Sequence, residues 1–226
     1  MPQPLIQLVS VSRLAPDAFL ATAPMARTIE RFGFDKRITS RVFADNTQPL
    51  ATCYNRAIDD AKAPDILVFV HDDVWIDDIF LTERLTEGLE KFDIIGVAGS
   101  KRRAPRQTSW SGELRGAKAM NDFYSGAITH GEVFGKVSPF GYTPAAVELL
   151  DGVFLAARTA VLRRSGTRFD PQFDFHFYDL DFCRSAKANG LSLGTWPIAI
   201  THRSHGAFGS AGWQANRDRY LAKWPD

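Results

Sequence analysis

Four short stretches of the chain carry residue types that do chemistry, each beside an apolar run. The first is Val70-His71-Asp72-Asp73-Val74, an imidazole and two carboxylates directly behind Ile66-Leu67-Val68-Phe69-Val70. Carboxylates at such a place are costly to desolvate unless they are solvated, paired or bound to a metal. Oxygen-rich ligands suit Mg²⁺ or Mn²⁺, and one imidazole tilts the choice toward Mn²⁺. The same tripeptide also fits a solvated loop with helix-capping aspartates, and Asp77-Asp78 reads as such a cap. The second stretch is Phe175-His176-Phe177-Tyr178-Asp179-Leu180-Asp181-Phe182-Cys183. On a helix starting here, Asp179 shares a face with Phe182 and Cys183. A carboxylate in a first helical turn is favoured by the helix dipole, and at a pocket mouth it is a candidate general base. Simple capping explains it equally well, and Asp181 either caps too or pairs with Arg184.

The third stretch is Thr201-His202-Arg203-Ser204-His205-Gly206. A histidine that follows a strand can complete a metal site begun elsewhere, although a lone histidine is more often structural. The fourth is Leu150-Asp151-Gly152, an acid and a glycine inside an apolar stretch. The glycine allows a ligand or a neighbour to approach the backbone closely. The aspartate, if buried, needs a partner: an acceptor hydroxyl or a backbone amide.

These residues must be held by elements that the patterning outlines. Short apolar runs alternate with helical periodicity, the mark of an α/β fold with a mostly parallel central sheet. Strands are expected at Leu5 to Val11, Ile38 to Phe43, Ile66 to Val70, Ile94 to Ala98, Val147 to Ala157 and Leu191 to Ile200. Helices are expected at Pro16 to Phe32, Leu50 to Ala61, Ile76 to Phe92, Tyr178 to Asn189-Gly190 and Trp213 to Trp224. The Ile66 to Val70 run has no alternation, as in a central strand covered on both faces. In such sheets the ligand crevice lies beyond the carboxyl ends of the strands, where His71-Asp72-Asp73 falls. About residues 99–146 the pattern dissolves into Gly, Ser, Pro, Lys and Arg with scattered aromatics. So long an irregular stretch reads as a lid or acceptor-binding region.

Length and composition bound the rest. The chain has 226 residues, 45% hydrophobic and 23% charged, which fits one folded domain over 1–226 and argues against disorder. Its formal net charge of +1 gives no reason to expect nucleic acid as a partner. The basic cluster Lys101-Arg102-Arg103 with Arg106 is a local exception; it fits a phosphate contact or a solvated loop. The two cysteines, Cys53 and Cys183, lack metal-type spacing and read as free thiols of a reducing compartment. The N-terminal residues lack the features of a signal peptide, and no apolar run approaches a membrane span. A cytoplasmic protein is the expectation, with a peripheral membrane contact left open and the oligomeric state not legible. Dinucleotide, P-loop and nucleophile-elbow fingerprints are absent, which disfavours dehydrogenases, P-loop kinases and α/β-hydrolases.

Taken in order, the motifs resemble those of the GT-A glycosyltransferases, specifically the family-2-like bacterial enzymes. His71-Asp72-Asp73 stands where that family has Asp-x-Asp at a strand end, with His71 in the place of the first aspartate. Ala51-Thr52-Cys53-Tyr54-Asn55-Arg56-Ala57-Ile58 resembles the segment before it. Leu150-Asp151-Gly152-Val153-Phe154-Leu155-Ala156-Ala157-Arg158 resembles the family's Asp-Gly strand. Phe169-Asp170 through Cys183 resembles the stretch with the Glu-Asp catalytic motif, Tyr178 replacing the glutamate and Asp179 standing at the aspartate. His202 matches a late metal-ligand histidine, and Arg219 to Trp224 the terminal Lys-Trp. The resemblance spans nearly the whole chain.

It implies a GT-A, Rossmann-like fold and transfer of a sugar from a nucleotide-diphosphate donor, a UDP-sugar by preference, to a glycan or other hydroxyl acceptor, with inversion. It implies Asp179 as general base and a metal held by Asp73, His202 and His71. Ser10, Asp45, Asn55, Asp72 and Asp73 become the candidate donor contacts, near Val9 and Ser12. Asp151 and Trp110, with Tyr124, become acceptor candidates. The rivals are a nucleotidyltransferase, whose glycine-rich basic loop Ser10-Val11-Ser12-Arg13-Leu14 does not supply, and a non-catalytic nucleotide-sugar-binding module, which would have no need of Asp179.

Overall fold

The computed structural model describes residues 3–111, 120–204 and 209–225. The chain opens with β1 (Ile6–Val11), α1 (Pro16–Thr22) and α2 (Pro24–Arg31), then β2 (Ile38–Phe43) and α3 (Leu50–Asp59). The single helix expected over Pro16 to Phe32 is two. Ala23 is extended and Pro24 starts α2. The ring supplies no N–H and disfavours helical backbone in the residue before it. The fully buried β3 (Ile66–Val70) follows, then β4 (Val74–Ile76), α4 (Leu81–Lys91), β5 (Ile94–Gly96) and β6 (Ala98–Ser100). The helix expected from Ile76 thus begins at Leu81. Asp78 accepts the Phe80 amide at 2.9 Å just before that helix, while Asp77 accepts the Thr201 hydroxyl at 2.7 Å.

The described residues of 99–146 are not structureless. They hold α5 (Met120–Phe123), β7 (Tyr124–His130), β8 (Lys136–Gly141) and β9 (Ala145–Ala146). β7 and β8 form an antiparallel hairpin. The chain continues through β10 (Leu149–Leu150), β11 (Phe154–Arg158), α6 (Thr159–Ser165), α7 (Tyr178–Ala188), β12 (Leu193–Thr195), β13 (Ile200–His202) and α8 (Ala211–Lys223). Ser210 caps α8, its hydroxyl accepting the Trp213 amide at 3.2 Å.

The strands form two sheets. The larger runs β2-β1-β3-β11-β5-β12-β9. β2, β1 and β3 are parallel, as are β5 and β12, whereas β11 is antiparallel to both its neighbours and β9 to β12. The sheet is therefore mixed, with most of its strands pointing one way. Strand direction belongs to tertiary pairing, and a buried apolar run such as Phe154-Leu155-Ala156-Ala157 reads the same both ways. The second sheet runs β10-β6-β7-β13-β4, with β8 also paired to β7. It adjoins the larger sheet at the carboxyl end of β3, because β4 follows β3 after only His71, Asp72 and Asp73. The core lies on both faces of β3 and β11, where Tyr54, Phe69, Phe169 and Phe182 interlock; Phe169 and Phe182 stack at 4.0 Å. Cys53 and Cys183 are buried free thiols.

Candidate active site

The handover between the two sheets creates the site. β13 pairs antiparallel with β4, setting His202 opposite Val74, and the Arg203 amide donates to the Asp73 carbonyl at 3.0 Å. His202 is thereby placed beside Asp73, its Nε2 3.2 Å from Asp73 Oδ1, with His71 Nδ1 4.0 Å from the same oxygen. One ligating atom each from His71, Asp73 and His202 lie within 4.8 Å of one another. One hard carboxylate oxygen and two borderline imidazoles form a donor set that fits a divalent cation such as Mn²⁺ and leaves coordination positions for a ligand.

The electrostatics of Asp73 and His71 suit that use, whereas a cation would have to displace a proton favoured on His202. Burial alone would raise the Asp73 carboxyl, but the adjacent His202 ring and then His71 outweigh it and hold Asp73 well below the usual carboxylate range. Burial lowers His71 despite the nearby charge of Asp73 and so favours the neutral ring, the form a metal ligand needs. For His202, burial works downward, yet the contact with Asp73 raises it overall.

The second carboxylate group comes from the Asp151 turn and the start of α7. Phe177, immediately before α7, has φ +67°, a left-handed conformation that costs a non-glycine residue of order 1 kcal/mol or more. Its buried ring, packed on Trp213 and Tyr220, holds the turn in place. The turn delivers Tyr178 and Asp179 onto the backbone of Gly152. Asp179 Oδ2 accepts the Gly152 amide at 3.0 Å, and the Tyr178 hydroxyl donates to the Gly152 carbonyl at 2.7 Å. A Cβ at residue 152 would collide with the Tyr178 hydroxyl and lie 2.7 Å from Asp179 Cβ, so only glycine fits. Burial and then the negative charge of Asp151 push the Asp179 carboxyl up to about 7, against the pull of its backbone amides. Asp151 itself accepts the Val153 amide at 2.9 Å.

A cleft of about 340 Å³ joins these groups. His71, Asp72, Asp73, Asp151, Asp179 and His202 all line it, and Trp110 forms part of its wall. Asp72 turns away from the metal-type cluster: its Oδ2 accepts the Ser12 hydroxyl at the end of β1. Trp110 is only 9% exposed and packs edge-on against Phe140 and Tyr124.

The remaining candidates stand apart from the cleft lining. Ser10 is buried within β1, and Asp45 is exposed on the loop after β2, its amide bonded to the Leu14 carbonyl. The Asn55 amide group is engaged on both sides by the Phe169 backbone, at 2.7 and 3.0 Å. Lys101, Arg102, Arg103 and Arg106 do not line the cleft either; Arg102 lies over the Phe123 ring. His205 lies outside the described residues. Asp181 is fully buried against Lys223 and Trp224, tying α7 to the end of α8. Ser204, Phe175 and His176, members of the quoted motifs with no role given them there, also face the cleft, as does His130, which the sequence reading did not single out. His130 ends β7 in register with His202, but it closes a glycine- and serine-containing run that does not read as a strand.

The fold is of the GT-A type, with a metal-type cluster at the end of its central strand and a carboxylate raised toward neutrality in the same cleft. The sequence profile of the glycosyltransferase-like family matches residues 27–215, and the chain belongs to that family. No curated protein matches it. Among solved structures it is similar to GalNAc-T7 with UDP, GalNAc and Mn²⁺, at 10% identity and a TM-score of 0.56, covering 100% of this chain and 49% of that one. It is also similar to A197 from STIV, at 13% identity and a TM-score of 0.47, covering 88% of this chain and 85% of that one. Among the described residues no helix is long and apolar enough to cross a membrane.

Proposed function

We propose that the protein is a metal-dependent, inverting glycosyltransferase that moves a sugar from a UDP-sugar to a hydroxyl acceptor. One observation carries the reading: a His-Asp-His cluster fit for a cation and a carboxylate raised to about 7 line the same cleft. His71, Asp73 and His202 would hold Mn²⁺ or Mg²⁺, which neutralises charge on the departing diphosphate. The donor nucleotide would lie over the end of β1, where Val11 and Asp72 line the cleft. Asp179 would take the acceptor proton. A base whose pKa lies near the working pH combines adequate basicity with a large deprotonated fraction. Asp151, which pushes that pKa upward, would orient the acceptor beside it. The UDP and Mn²⁺ named with GalNAc-T7 make that donor and that metal the first to try.

The test compares wild type with Asp179→Asn for UDP release from a panel of UDP-sugars, with Mn²⁺ and with EDTA. Asp179→Asn should abolish turnover and keep Mn²⁺-dependent UDP binding by calorimetry. Unchanged turnover would remove Asp179 from the mechanism, and full activity in EDTA would remove the metal.

A further inference from the structure

His71 has two ring nitrogens, and only one faces the cation cluster. Nδ1 lies on the Asp73 side, while Nε2 points the other way and meets the Tyr178 hydroxyl at 2.8 Å. The same hydroxyl reaches the Gly152 carbonyl at 2.7 Å. A phenol has a single proton and a carbonyl oxygen can only accept. The Gly152 contact is a hydrogen bond only if the phenol proton goes there. The phenol oxygen can then only accept from His71, so the ring proton sits on Nε2.

We infer that Tyr178 is a positioning residue for the metal: its hydroxyl fixes His71 in the Nε2–H tautomer and turns a bare Nδ1 lone pair toward the cation. The inference rests on the metal reading above and gives His71 and Tyr178 a joint role. Second partners that hold a ligating histidine's other N–H in this way set its orientation and tautomer and raise its basicity. Their loss commonly costs 10- to 100-fold in metal affinity. Further contacts brace the arrangement. The His71 amide donates to the Val153 carbonyl at 3.2 Å, Phe175 packs on the ring at 5.7 Å, and the Tyr178 ring is wedged against Tyr54 and Phe169. The absence of a side chain at Gly152 is what lets the phenol reach its backbone.

Long-range ¹H–¹⁵N spectra of the metal-free, histidine-labelled full chain read the tautomer directly. Wild type should show His71 protonated at Nε2 with a pyridine-like Nδ1, and Tyr178→Phe should give a mixture of tautomers. A wild-type His71 protonated at Nδ1 overturns the inference whether or not metal binds. Calorimetry with MnCl₂ provides the second readout. Tyr178→Phe should weaken Mn²⁺ binding by about tenfold or more. Equal Mn²⁺ affinity with an unchanged tautomer overturns the role of Tyr178 and leaves the metal reading standing. Failure of the wild type to bind Mn²⁺ at all overturns the metal reading as well.

Discussion

Asp179→Asn should stabilise the fold while destroying activity. The Asp179 carboxyl is raised from 3.8 to about 7, first by burial and then by Asp151. Its folded pKa therefore lies above its unfolded one, the reverse of the usual salt-bridged aspartate. Below about pH 4 both states hold the proton and the group is neutral toward stability. Between about pH 4 and pH 7 the folded chain keeps a proton that the unfolded chain releases, so stability falls as pH rises. Above about pH 7 the folded state carries the full cost of a buried charge. At about 1.4 kcal/mol per pKa unit, a rise of roughly three units sets a ceiling of about 4 kcal/mol.

Asparagine removes the charge and keeps an oxygen to accept the Gly152 amide. Relaxation and water entry lower the ceiling, so the expected gain is about 2 kcal/mol at pH 8, or about 4–8 °C in Tm for a chain of this size. Thermal and urea unfolding of both proteins from pH 4 to pH 9, in EDTA and without nucleotide, measures the gap free of ligand linkage. The gap should open from near zero at pH 4 to its full value at pH 8. A variant no more stable than wild type at pH 8, or a gap independent of pH, would refute the buried-charge account of Asp179.

Other substitutions separate holding from chemistry. Gly152→Ala should cost about 2–3 kcal/mol by urea midpoint and lose turnover, because its Cβ strikes the groups that carry Tyr178 and Asp179. Asn55→Ala should cost about 2 kcal/mol by removing the Phe169 backbone partner, with UDP affinity retained; weakened UDP binding at unchanged stability would make Asn55 a donor contact instead. Lys223→Met should cost about 3 kcal/mol, since it leaves the fully buried Asp181 with Trp224 but no countercharge; an unchanged urea midpoint would show that the C-terminal clasp adds nothing.

The parts of this fold legible in the sequence are those where local pattern and tertiary role coincide. β3 is buried on both faces and reads as an unbroken apolar run, and the acidic tripeptide behind it lands at the strand end because chain direction demands it. α7 begins at Tyr178, where its hydrophobic and acidic residues fall into helical spacing. The β7–β8 hairpin was hidden because Tyr124-Ser125-Gly126-Ala127 and Val137-Ser138-Pro139-Phe140 mix glycine, serine and proline into strands. Residues of low β-propensity are carried there by cross-strand pairing that no local window contains. Asn55 reads in the sequence as a donor contact, whereas in the structure its side-chain amide holds both backbone polar groups of Phe169, a role that only the tertiary fold reveals.

The motifs gain their meaning from one residue that carries no chemistry of its own. Gly152 gives its N–H to Asp179 and its carbonyl to Tyr178, which in turn holds His71. The next carbonyl along the chain, that of Val153, takes the His71 amide. A single turn of backbone thus sets the candidate base and one arm of the candidate metal site in a fixed relation. The reaction proposed for this cleft needs such rigidity, because an acceptor oxygen and a metal-held diphosphate must face opposite sides of one anomeric carbon, and misplacement by about 1 Å can cost roughly 100-fold in rate. Asp151-Gly152 reads in the sequence as an acid beside a glycine that lets a ligand or a neighbour approach the backbone closely. In the fold it is a joint that cannot bend without moving both halves of the site.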